Sequence, residues 1–86
     1  METPTVETAA IIVTRYFGPT NHKPGRIKAT AGSGKSLTIS WDHAVGTFEN
    51  HAAAAAALAK RIGISGRRIV GGGLPRAGYA FAFVAR

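Results

Sequence analysis

Six consecutive alanines, residues 52–57, constrain the fold of this 86-residue chain more than any other feature. Alanine is the best helix former, so the run reads as the middle of a helix. The flanks set its ends. Thr47 stands at the N-cap position, and Glu49 lies in the first turn, where the helix dipole favours an acid. Lys60 and Arg61 suit the last turn, and Gly63 is a left-handed stop. The spacing predicts one helix from Thr47 to Ile62, with Phe48, Ala55, Leu58 and Ile62 on the core-facing stripe. Alanine is also the smallest helical side chain, which lets this helix lie close to a sheet.

The other periodic segments read as strands. Residues 9–17 (AAIIVTRYF) are rich in β-branched and aromatic side chains and stop at Gly18-Pro19. Residues 26–30 (RIKAT) and 37–41 (LTISW) alternate, and AGSGK between them is turn chemistry, so the pair reads as a hairpin. Residues 67–70 (RRIV) form a short strand, 71–78 (GGGLPRAG) a loop and 79–84 (YAFAFV) a closing strand. The order β-β-β-α-β-β implies an α+β domain: an antiparallel sheet of four to five strands with the Ala-rich helix on one face. Residues 9–86 make a single domain, and residues 1–8 a flexible tail.

Alternation then assigns faces. Ile11, Val13, Ile27, Ala29, Leu37, Ile39, Trp41, Tyr79, Phe81 and Phe83 are expected under the helix. Thr14, Tyr16, Arg26, Lys28, Ser36, Thr38, Ser40, Ala80 and Ala82 are expected on the other face, with one of Arg67 and Arg68. A one-residue slip reverses any one strand.

The charge balance points to a partner. Residues 9–86 hold all 11 Lys and Arg and only two acids, Asp42 and Glu49, a net +9. Self-repulsion at this density destabilises a small fold, so a polyanion is the natural partner. The chain has no Cys, which removes disulfides, thiolate zinc sites and a Cys nucleophile and fits a reducing compartment. The acidic start lacks an apolar segment of signal-peptide type, and no run suits a membrane span. A cytoplasmic location is expected.

Catalytic motifs are thin. ATAGSGKS at residues 29–36 fits a relaxed phosphate-loop pattern, but that loop must open a helix, and Lys35 and Ser36 lead into a strand. His22, His43 and His51 lack zinc-ligand spacing, and two carboxylates do not make a two-metal site. Ser36 or Ser40 with His43 has no supporting spacing for nucleophile and base. The expectation is a binding protein, not an enzyme, with no cofactor and no metal. Gly71-Gly72-Gly73 reads either as an anion nest or as a flexible hairpin loop.

The GPTN loop followed by GRIKA, the TISWD strand, the ENHAAAA helix start and the VGGGLP loop before an aromatic strand resemble a family of small proteins carried by phages, plasmids and other mobile elements. The resemblance covers residues 13–84. It implies a mobile-element setting, in which small proteins act on nucleic acid or block host defence systems such as CRISPR effectors and restriction enzymes. Two expectations follow. In the first, DNA or RNA lies on the basic sheet face and glycine loop, held by Tyr16, Lys23, Arg26, Lys28, Arg67, Arg68 and Arg76, with a base stacked on Tyr16. In the second, the chain inhibits a host defence complex by stoichiometric protein–protein binding.

Overall fold

Among the described residues five antiparallel strands form one sheet, and a single helix lies across one face. The computed structural model describes residues 10–64, 68–75 and 78–84. The elements are β1 Ala10–Phe17, β2 Arg26–Ala31, β3 Ser36–Ser40, α1 Thr47–Ile62, β4 Arg68–Leu74 and β5 Gly78–Val84. The sheet order is β3-β2-β1-β5-β4, so β1 is central. This is the α+β arrangement implied by the sequence. The expected tail, residues 1–8, lies outside the described residues. Among these, no helix is long and apolar enough to cross a membrane.

The AGSGK turn closes β2 onto β3. Ala31 N–H donates to the Lys35 carbonyl at 2.8 Å, and Gly34 sits at φ 96, a conformation that suits glycine. Lys35 leads into β3 and no helix begins there, so the phosphate-loop geometry is absent.

The helix has the expected bounds, but its N-cap is Gly46, with no side-chain cap. Thr47 is the first helical residue. Loop closure falls instead to buried Asn50. Its Oδ1 accepts the Asp42 N–H at 2.8 Å, and its Nδ2 donates to the Asp42 and Gly46 carbonyls at 2.9 and 3.0 Å. At the other end, Gly63 is the left-handed stop, at φ 86.

The helix packs over β2, β1 and β3, touches β5 and does not reach β4. Its buried face is Asn50, His51, Ala54, Ala55, Leu58 and Ala59. Phe48, expected in the core, is 45% exposed and leans its ring on Tyr79 and Phe81 instead. The sheet contributes Ile12, Ile27, Ala29, Phe81 and Phe83, all essentially sealed. Each large apolar side chain buried here stabilises the fold by about 1.5–3 kcal/mol.

Two further sequence readings are corrected. The phase of β1 is reversed: Ile12 and Thr14 are fully buried, whereas Ile11 and Val13 are exposed on the open face. The register agrees, pairing Ile12 with Ala31 and Phe81 on the helix side. The loop expected from residue 71 is also strand. Gly71, Gly72 and Gly73 pair with Phe81, Ala80 and Tyr79 inside β4. They are neither a loop nor a nest.

Gly71 has a steric reason. A Cβ there would come within 2.8 Å of Phe81 Cε1 and 3.0 Å of the Ala80 carbonyl oxygen. Phe81 is 1% exposed and has nowhere to go. At Gly72 a Cβ would meet nothing within 4 Å. In denaturant unfolding, Gly71→Ala should therefore cost about 1–3 kcal/mol by overpacking. Gly72→Ala should be neutral or stabilising by about 0.5 kcal/mol, since it only restricts the unfolded chain.

Candidate functional site

The helix leaves one sheet face open, and the β1 phase decides what that face carries. Side chains alternate along a strand, so Ile11, Val13, Arg15 and Phe17 point away from the helix. Cross-strand pairs share a face, which places Arg15 beside Lys28 and Phe17 beside Arg26. Thr38 and Ser40 continue those two rows on β3. The Arg26 guanidinium carbon sits 5.3 Å from the centre of the Phe17 ring, a cation–π contact. Phe17 remains 37% exposed. Two shallow depressions flank it. One of about 230 Å³ is lined by Phe17, Arg26, Lys28 and Thr38. The other, about 370 Å³, is lined by Val13, Arg15, Phe17, Lys28 and Thr30.

The residues expected to bind separate into groups. Arg26 and Lys28 lie together on the open face as expected. Lys23 is exposed in the loop between β1 and β2, where its backbone N–H donates to Thr20 Oγ1. This loop leaves the sheet at the Phe17 end. Tyr16 is not on this face: the β1 phase turns it to the helix side. Arg68 is on the open face, since it pairs with Val84. It lies six residues along the sheet from the Arg15 row, roughly 20 Å away at strand rise. Arg67 and Arg76 lie outside the described residues. Arg15 and Phe17 were missed, because either phase of β1 puts apolar side chains on both faces.

A second concavity lies on the helix side. Tyr16, Trp41, Thr47, His51 and Tyr79 line a cleft of about 370 Å³. Tyr16 meets Trp41 edge-on at 4.8 Å between ring centres, and His51 leans on Tyr79 at 4.3 Å. His51 is 1% exposed, and its Nδ1 lies 2.7 Å from Thr14 Oγ1, a buried hydrogen bond. Burial lowers its pKa below the ordinary 6.5, because the imidazolium loses hydration. His51 was not among the residues expected on the core-facing stripe. Its spacing holds the missing signal: position 51 lies on the same stripe as 48, 55, 58 and 62. Among the described residues no three His, Cys, Asp or Glu cluster as metal ligands. No protein-family model, curated protein or solved structure matches the chain.

The buried neutral imidazole gives stability a pH dependence. His51 takes up a proton more readily in the unfolded chain than in the fold. Its contribution is therefore complete above about pH 6.5 and declines as pH falls towards the lowered folded value. Thermal melts between pH 7.5 and 5 should show this decline, and His51→Gln should flatten it while lowering the melting temperature at neutral pH.

Proposed function

We propose that this chain binds nucleic acid on the open face of its sheet, holding a single strand across the β1–β2 end. The supporting observation is the partly exposed Phe17 ring beside Arg15, Arg26 and Lys28 on a face that no element among the described residues covers. An unpaired base stacks on such a ring while the cations hold its phosphates, as sheet-face binders of single strands do. Lys23 extends the positive charge along the adjacent loop. The net charge of +7 draws the polyanion in. Phosphate contacts carry no base information, so recognition is sequence-tolerant. Such a role fits a small protein of a mobile element acting inside its host.

Titration of a labelled single strand over a range of salt tests this. Binding should be micromolar or weaker at moderate salt, with a log–log slope of about −3 to −5. The triple change Arg15→Ala, Arg26→Ala and Lys28→Ala should flatten that slope by about 2–3 and weaken all sequences alike. Phe17→Ala should weaken single strands by about 1–3 kcal/mol and duplex much less, because a paired base cannot stack on the ring. No binding at low salt would overturn the reading.

A second reading is inhibition of a host defence complex. Its support is the apolar remainder of the same face, where Ile11, Val13, Val70 and Leu74 are 37–49% exposed. Val70→Lys separates the two. It should abolish protein docking there and leave strand binding intact.

A further inference from the structure

The aromatic cleft on the helix side plays no part in binding at the open face, and its chemistry is that of a ligand site. Its volume, about 370 Å³, lies in the range of small-molecule pockets. Tyr16, Trp41 and Tyr79 give it aromatic walls. The lining residues also carry polar groups: the Thr47 hydroxyl, the Tyr16 and Tyr79 phenols, the Trp41 indole N–H and the His51 ring. The His51 ring carries information. Nδ1 is committed to Thr14, and no described residue hydrogen-bonds Nε2. No side-chain nitrogen or oxygen is sealed away without a partner among the described residues. His51 lines the cleft, and of its two ring nitrogens only Nε2 has no partner among the described residues, on a residue 99% hidden. A buried ring held by its other nitrogen presents one fixed hydrogen-bonding atom to whatever enters.

Aromatic walls also suit cations, but this cleft does not. Among the described residues no carboxylate lines it, and the chain carries +7 overall, so an incoming cation meets an adverse field. A flat, uncharged heterocycle gains stacking on one of Tyr16 and Trp41, an edge contact with the other and a hydrogen bond with His51 without that cost. We propose that the cleft binds one planar nitrogen heterocycle of the nucleobase class, either a free nucleoside or an unpaired base of a strand. The site lies on the opposite face of the sheet from Phe17, so it stands or falls independently of the open-face reading.

Trp41 is the only Trp and lines the site, so its fluorescence reports occupancy. Titration with adenosine, which carries no phosphate, should give saturable quenching and shift the His51 Nε2 resonance. Tyr16→Leu and Tyr79→Leu, checked for folding by circular dichroism, should each weaken binding by roughly tenfold or more. The Arg15, Arg26 and Lys28 triple variant should bind adenosine unchanged, which separates this site from the open face. An oligonucleotide and its abasic counterpart identify the source. Quenching by adenosine alone assigns free nucleosides, and additional quenching by the base-containing strand but not the abasic one assigns an unpaired base. Three results would overturn the proposal: no saturable quenching by adenosine or by the base-containing strand, an unmoved His51 resonance, or saturation by choline, which would make the cleft a cation cage.

Discussion

The hydrogen bond between Thr14 and His51 sets the phase of the central strand, and both candidate sites depend on that phase. Thr14 is a polar residue facing inward from the middle of the sheet. Left alone there, its hydroxyl would cost about 1–3 kcal/mol of unmet hydrogen bonding. His51, on the buried stripe of the helix 37 positions later, supplies the partner. With Thr14 inward, Tyr16 follows it to the helix side and enters the aromatic cleft. Arg15 and Phe17 turn outward and meet Lys28 and Arg26. One buried pair thus distributes the aromatics and cations of β1 between two faces.

Glycine and alanine set the thickness and extent of the fold. Ala54, Ala55 and Ala59 bring the helix down onto β1 and β2. The helix stops short of β4, which is exposed along its whole length. β4 owes its place to pairing with β5, and Gly71 makes room for the Phe81 ring that anchors β5 in the core. Asn50 ties down the connection after Trp41 and so holds one wall of the cleft.

What could be read from residues alone follows from how unambiguous each local pattern is. The alanine run and Gly63 placed the helix. β2 and β3 alternate apolar with polar residues and β5 alternates large aromatics with small ones, so Ile27, Leu37, Trp41 and Phe81 were assigned to the correct side. β1 has apolar residues in both phases, and its polar hints conflict: Thr14 was read as outward, whereas the charge of its neighbour Arg15 favours the phase observed. The Gly71–Gly73 stretch has poor strand propensity, and only tertiary pairing makes it a strand. Arg26 and Lys28 were placed correctly on the face. Tyr16 was not, and the aromatic that takes its place there is its neighbour Phe17.

The phase of β1 is open to direct measurement because the chain has no native cysteine. Single cysteines at positions 11, 12, 13, 14 and 15, labelled with a thiol reagent under native conditions, read it out strand position by position. Fast labelling at 11, 13 and 15 with protection at 12 and 14 is the expected pattern. The opposite alternation would place Tyr16 on the basic face, remove Arg15 and Phe17 from it, and contradict the account.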